Sequence, residues 1–306
     1  MPRPIAFVTG ATGHQGGATA RELLQAGIKV HVLVRNPSSE SATELQRLGA
    51  RLFPGDFDNL PALKAATTGA TAVFLNVTPT PSNPEQEVIH AKNILEAATA
   101  AGTVTTLVYS SVTMTTKHES FPNWSPEYPL AWYWQNKAQI ESLVQQANVQ
   151  SWTILRPAFL MHNYHRPMAS FMFPELGQRV FRSAYKPTTA MTVLDQGDVG
   201  KFAAAAIVDP VAYNGHIIDL GVEALTAAEI VGELTLVSGC DIALEWYPED
   251  EAAQLAQTNP VIRAQLWANE VGYQVDFAGL SKYPIRLTTF REYLEKHREQ
   301  VVQTVV

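Results

Sequence analysis

The chain has a single cysteine, Cys240. An intrachain disulfide framework is therefore excluded, and the usage fits a reducing compartment, with the cytosol as the expected location. Basic residues are outnumbered, 22 Lys and Arg against 29 Asp and Glu, for a formal net charge of -7. With no basic run to track a phosphate backbone, direct nucleic-acid binding is not expected, although the acidic surface leaves binding to another protein open. No apolar stretch approaches the roughly 20 residues that cross a bilayer, and Met1-Pro2-Arg3-Pro4 leads into an apolar strand without a signal segment, so no membrane association is expected. There is no internal repeat and no G-x-S-x-G elbow of a hydrolase. His162 and His165 form an H-x-x-H pair with no third ligand nearby, and no metal site is expected.

Glycine is not abundant, but it is concentrated where it carries chemistry. Ile5-Ala6-Phe7-Val8 reads as a buried strand and runs into Thr9-Gly10-Ala11-Thr12-Gly13-His14-Gln15-Gly16-Gly17, followed by a helix-forming stretch from Ala18 to Ala26. Glycines at 10, 13 and 16 in a strand-turn-helix context suit a dinucleotide. Gly10 permits the tight turn, Gly13 lets the backbone approach a pyrophosphate, and Gly16 lets the helix pack close to the strand. The free N–H groups of the helix start then face the phosphates. Strand two, Lys29 to Val34, ends in Arg35-Asn36-Pro37-Ser38-Ser39, where an NAD-preferring site would place an acidic residue. A guanidinium there suits the 2′-phosphate of NADP(H), with Ser38 and Ser39 as added donors.

Strands and helices go on alternating through the first half of the chain. The sequence predicts a helix at 40–48, a strand at 51–54, a helix at 60–66, a strand at 72–76, a helix at 85–101, a strand at 105–109, a helix at 130–147 and a strand at 152–155. That series implies an α/β fold, a doubly wound parallel sheet of Rossmann type with its ligand across the carboxyl ends of the strands. The expected division is 1–157 for the NADP-binding domain and 158–306 for a smaller, discontinuous substrate-binding region, with 197–220 returning to the Rossmann core. The stretch 161–185, rich in Met, Phe, His and Tyr with weak periodicity, reads either as an irregular wall over a pocket or as a homodimer interface. Further on, Thr226 and Glu229 have the spacing of a capping box for a helix at 227–238.

Tyr133 and Lys137 stand four apart on a predicted helix and project from one face. An ammonium near a phenol favours its ionised form, which makes the tyrosine a proton donor to a carbonyl or imine that accepts hydride, and the lysine can also hold the nicotinamide ribose. The loop from Val112 to Pro129 carries Phe121, Trp124 and Tyr128, and Trp132 and Trp134 flank Tyr133. An aromatic-lined mouth of this kind suits a bulky, planar substrate, with the packing of helix on sheet as the alternative. Trp124, Tyr128, Phe159 and His162 are the candidate substrate contacts.

In these residues, and in Gly55-Asp56-Phe57-Asp58, Glu85-Gln86-Glu87-Val88, Tyr109-Ser110, Leu155-Arg156-Pro157 and Asp198-Val199-Gly200, the chain resembles the NmrA-like branch of the short-chain dehydrogenase/reductase superfamily, along nearly its whole length. The resemblance implies that Gly10, Ala11, Thr12, Gly13, His14 and Gln15 hold the pyrophosphate and Arg35 the 2′-phosphate, while Asp56 and Phe57 border the adenine. Asn76, Val77 and Thr78 would run along the nicotinamide ribose, with Lys137 bonding its hydroxyls. Pro157, Ala158 and Phe159 would border the nicotinamide. Many members of the branch keep the lysine but lack the tyrosine four residues before it, and several act as redox sensors or transcriptional co-regulators, whereas this chain has Tyr133. The catalytic serine departs from the pattern, because the third residue of the run Ser110-Ser111-Val112 is valine; Ser111 and Thr113 are the candidates to take its place. The expectation is an NADPH-dependent reductase of a C=O, C=N or conjugated C=C bond in a bulky aromatic or alkaloid-like metabolite, with an accompanying cyclisation in secondary metabolism left open. Its rival is a non-catalytic NADP(H) sensor that binds a protein partner according to redox state.

Overall fold

The structure is a computed structural model describing residues 4–128 and 130–306. Met1, Pro2 and Arg3, expected to lead into the first strand, and Pro129, expected to close the aromatic loop, lie outside the described residues. Strands β1 (Ile5–Val8), β2 (Lys29–Val34), β3 (Arg51–Pro54), β4 (Ala72–Leu75), β5 (Thr106–Ser110) and β6 (Ser151–Pro157) alternate with helices α1 (His14–Gln25), α2 (Glu40–Arg47), α3 (Leu60–Thr67), α4 (Gln86–Ala100) and α5 (Ala131–Gln145). There follow β7 (Phe159–Leu160), α6 (Ala169–Met172), β8 (Val180–Ser183), β9 (Ala190–Leu194), α7 (Gln196–Val208), α8 (Pro210–Tyr213) and β10 (His216–Leu220). Then come β11 (Glu223–Thr226), α9 (Ala227–Ser238), β12 (Ala243–Trp246), α10 (Glu249–Leu255), α11 (Pro260–Glu270), α12 (Phe277–Leu280), α13 (Phe290–Lys296) and α14 (Arg298–Thr304).

The main sheet has seven strands in the order β10-β6-β5-β4-β1-β2-β3. β1 pairs in parallel with both β2 and β4, so the chain reverses its winding direction between β1 and β4. That reversal opens a crevice at the carboxyl ends of the two strands, the place where a doubly wound sheet takes its ligand. The inner strands read as continuous apolar runs because helices cover both faces, and Phe7, Val73, Leu75, Leu107 and Ile154 form one buried cluster with Leu63, Ile94 and Val144 from the helices. Burying such side chains stabilises the unit by about 1.5–3 kcal/mol each.

The chain divides into two units, one of 1–118, 130–156 and 196–218, the other of 119–129, 157–195 and 219–306. The first holds most of the main sheet and the helices around it. Within it, α1 and α7 meet at a glycine: a Cβ on Gly200 would lie 2.7 Å from the carbonyl carbon of Ala18. Only Gly allows so close a crossing.

The second unit contains a three-stranded sheet ordered β11-β9-β7 and a parallel pair of β12 with β8. Its core gathers Met161, Tyr164, Phe173, Phe181, Ile230, Leu234 and Phe290. The region 161–185, expected to be irregular, is resolved into a 3-10 turn at Met161–Tyr164, the short α6, a second 3-10 turn at Pro174–Gln178 and the strand β8. These elements are too short to show periodicity in sequence. Aromatic stacking orders them: Phe173 lies 4.5 Å from Phe181 and 5.3 Å from Tyr164, ring to ring. The capping box predicted at Thr226 and Glu229 is present, with each side chain bonding the other's backbone N–H at the start of α9.

Candidate active site

The glycine-rich turn is held open by its own backbone. Gly10 has φ +62°, a left-handed conformation that strains any side chain, and its carbonyl accepts from Gly13 N at 2.9 Å. A Cβ on Gly16 would fall 2.3 Å from the Gly10 carbonyl oxygen. The first turn of α1 therefore sits directly on the loop, which is why the helix starts at His14, earlier than the helix-forming run at Ala18 suggests. Gly13 is the N-cap and no side chain caps the helix. The uncapped N–H groups and the missing Cβ atoms fit a pyrophosphate against the turn.

Across the crevice, Thr9 ties the two switch-point loops together. Its buried hydroxyl donates toward the carbonyls of Phe74 and Asn76 at 3.0 and 3.1 Å and accepts from Asn76 N at 2.7 Å. Asn76 is thereby fixed beside Gly10, with Val77 buried and Thr78 exposed next to it. Ser110, at the end of β5, donates to Gln15 Oε1 at 2.5 Å and ties a third strand end to the turn. Neither tie is visible in the sequence, because both link residues more than 60 positions apart.

Arg35 follows β2 and is exposed, and among the described residues it makes no ion pair. Its guanidinium fits a 2′-phosphate, with Ser38 exposed nearby in the turn that Asn36 organises through its Oδ1, an acceptor for Ser38 N at 3.0 Å. Asp56 follows β3 and turns its Oδ1 to the backbone N–H groups of Asp58 and Asn59, at 3.1 and 3.0 Å. That carboxylate therefore shapes the entry to α3, while the half-buried Phe57 packs edge-on against His90 at 5.4 Å.

On α5, Tyr133 is half-buried and Trp134 is buried. Lys137 Nζ lies 5.7 Å from the Tyr133 ring and 5.9 Å from the ring of Tyr109 on β5. Lys137 is only 4% exposed, and its Nζ sits 2.6 Å from Oε1 of Glu87, a carboxylate on α4 that is fully buried. In sequence, Glu87 looks like an ordinary acid in the first turn of a helix, so its burial against Lys137 is invisible there. Burial, with the carboxylates of Glu87 and Glu141 next in effect, pushes the Tyr109 phenol well above its ordinary range, so Tyr109 stays protonated. Ser111 is buried with its hydroxyl 3.2 Å from that of Thr115, and Thr113 donates to the carbonyl of Arg156 at 2.7 Å.

In the second unit, three of the candidate substrate contacts, Trp124, Tyr128 and Phe159, belong to one run of neighbouring rings. Trp124 packs on Tyr128 at 5.1 Å, both meet Phe121, and Phe121 lies 5.8 Å from Trp267 of α11. Trp267 meets Tyr273 at 5.0 Å, and Tyr273 approaches Phe159 at 6.5 Å. Burial raises the Tyr273 phenol to about 12. Trp267 on α11 and Tyr273 just beyond its end carry no motif that marks them in sequence. Pro157 and Ala158 are buried, with Ala158 N bonded to the Leu220 carbonyl at 2.8 Å, and His162 is buried in the 3-10 turn.

The chain matches the NmrA-like family over residues 4–294. It belongs to that family. It is 30% identical over 250 residues to the NmrA-like family domain-containing oxidoreductase notA of Aspergillus sp. (strain MF297-2), covering 75% of this chain and 71% of that one. Its fold superposes with a TM-score of 0.75 on NmrA, a negative transcriptional regulator solved in complex with NADP, at 22% identity over 98% of this chain and 97% of that one. An NADPH-dependent quinone oxidoreductase from Escherichia coli, solved with NADPH, gives a TM-score of 0.75 at 23% identity, covering 96% of this chain and 99% of that one. The NmrA-like chain thus has the doubly wound Rossmann fold expected from its sequence. No helix among its described residues is long and apolar enough to cross a membrane.

Proposed function

We propose that this NmrA-like protein is an NADPH-dependent oxidoreductase that reduces a C=O, C=N or conjugated C=C bond in a bulky aromatic small molecule. The observation that carries the reading is the placing of Tyr133 and Lys137 on one face of α5, beyond the end of β5, with the ammonium 5.7 Å from the phenol ring. When bound, the dinucleotide supplies hydride from C4 of its nicotinamide. Gly10 to Gln15 bind its pyrophosphate, Arg35 and Ser38 its 2′-phosphate, and Asp56 and Phe57 border its adenine. Asn76, Val77 and Thr78 lie along the nicotinamide ribose, and Lys137 bonds the ribose hydroxyls. Pro157, Ala158 and Phe159 border the nicotinamide. Tyr133 gives its phenolic proton to the acceptor atom of the substrate, and Ser111 steadies that atom. Trp124, Tyr128, Phe159 and His162 recognise the substrate ring.

The name of the Aspergillus relative supports reductase chemistry. The sensor reading draws on the regulator among the similar folds and on the Ser111 hydroxyl, which is shared with Thr115. NADPH oxidation against a panel of quinones, imines and aromatic ketones separates the two. Turnover with at least one acceptor is expected, with Tyr133→Phe lowering kcat by roughly 10²- to 10⁴-fold while NADPH affinity holds. Absence of turnover with every acceptor would leave the sensor.

A further inference from the structure

Three elements place groups around Lys137. Glu87 faces it from α4 at 2.6 Å, Tyr109 from β5, Tyr133 from its own helix, and Glu141 one turn further along that helix is committed to Arg156 of β6. Of the two carboxylates, only Glu87 is available to the ammonium. Its second oxygen, Oε2, has no hydrogen-bond partner among the described residues, and Lys137 is the one cation the carboxylate pairs with there. A buried acid without a partner would be expelled or protonated, and a buried lysine would give up its proton. Each keeps the other in place.

From this geometry we propose that Glu87 is a positioning residue: as the counter-charge of Lys137 it anchors the ammonium at the end of β5 so that the ammonium holds the nicotinamide ribose. The proposal rests on the ribose role assigned to Lys137 above. It also changes the electrostatics at Tyr133. An ammonium 2.6 Å from a carboxylate presents nearly a neutral pair to a ring 5.7 Å away, so Lys137 acts on Tyr133 more by orientation than by field.

The test measures binding, independently of turnover. NADPH and 2′,5′-ADP, which lacks the nicotinamide ribose, are titrated into the unaltered protein, Glu87→Gln, Glu87→Asp, Lys137→Met and the double variant Glu87→Gln/Lys137→Met, at pH 7 and pH 9. Without its counter-charge the buried ammonium loses its proton as the pH rises, so Glu87→Gln should bind NADPH roughly tenfold more weakly at pH 9 than at pH 7, relative to the unaltered protein. Its affinity for 2′,5′-ADP should not change, and Glu87→Asp, which keeps the charge, should keep the flat pH response. In the Lys137→Met background, adding Glu87→Gln should change nothing further. A flat response in Glu87→Gln, or an equal loss for both ligands, overturns the role of Glu87. If Lys137→Met alone binds NADPH as tightly as the unaltered protein, the ribose assignment falls, and the role of Glu87 falls with it. Should Glu87→Gln not fold, the double variant, which buries no unpaired charge, and Glu87→Asp decide: a pH-dependent loss of NADPH affinity in Glu87→Asp as large as that in Lys137→Met also overturns it.

Discussion

Arg156 grips Glu141 with two nitrogens, Nε at 2.8 Å and Nη2 at 2.5 Å, and the same Nη2 donates to the Thr116 hydroxyl at 3.0 Å. Both charged side chains are buried. Thr116 is β-branched yet has φ +68°, and Met114 nearby has φ +75°. Backbone in that region costs of order 1–3 kcal/mol per residue and persists only where the surroundings hold it. The guanidinium is one of the groups that hold it here, together with the Thr113 and Thr115 hydroxyls, which donate to the carbonyls of Arg156 and Val112.

Removing Arg156 should therefore do more than delete an ion pair. Arg156→Met leaves the Glu141 carboxylate buried without a partner, and a loss of about 3–5 kcal/mol of stability is expected from urea unfolding. Arg156→Met/Glu141→Leu should recover most of that loss. If the single variant is as stable as the double one, the buried Glu141 carboxylate does not need Arg156 as its partner.

Two glycines predict opposite outcomes from the same substitution. Gly16→Ala places a Cβ 2.3 Å from the Gly10 carbonyl oxygen, which cannot give way without moving the turn, and NADPH binding should be lost or severely weakened. Gly232, in the middle of α9, has nothing within 4 Å of an added Cβ. There alanine should stabilise by about 0.5–1 kcal/mol, read as a higher melting temperature.

Cofactor choice should rest on Arg35. Arg35→Ala is expected to reduce the preference for NADPH over NADH by about 1.5–3 kcal/mol, roughly ten- to a hundredfold in the ratio of dissociation constants. An unchanged ratio, measured by fluorescence titration of both dinucleotides, would remove the 2′-phosphate from this residue.

Two histidines give the pH dependence its sign. Burial holds His31 below its ordinary value, with the Ala66 carbonyl opposing and Arg51 and Lys29 adding to the effect. Burial does the same to His165, against the Arg166 carbonyl, while its Nε2 meets the Tyr293 hydroxyl at 2.7 Å. Both rings titrate near 6.5 in the unfolded chain and lower in the folded one. Their contribution is thus complete above about pH 6.5 and is lost as the pH falls through the folded values. Urea midpoints at pH 7.5 and pH 5 should fall less in His31→Gln than in the unaltered protein.

What could be read in the sequence was whatever depends on near neighbours. The alternation of strands and helices, the turn at Gly10 and the box at Thr226 each lie within a dozen residues, and all are found where expected. Glycine is a poor helix former, and the contact of Gly16 with the turn overrides that preference at the start of α1. Glu87 stands in sequence as one residue of the run Glu85-Gln86-Glu87-Val88. Its pairing with Lys137 depends on α4 and α5 packing side by side, which no periodicity reveals. The same holds for Trp267, whose partner Phe121 comes from a loop far away in the chain.

The Thr9 hydroxyl, donor toward one strand end and acceptor from its backbone, has a thermodynamic consequence. A cradle already cross-linked at β1, β4 and β5 gives up little loop freedom when a dinucleotide arrives, so less of the contact energy is offset by ordering the chain. Thr9→Val keeps the shape and removes the clip. The weakening it produces would then show as a more unfavourable binding entropy, with the enthalpy of the phosphate contacts largely retained.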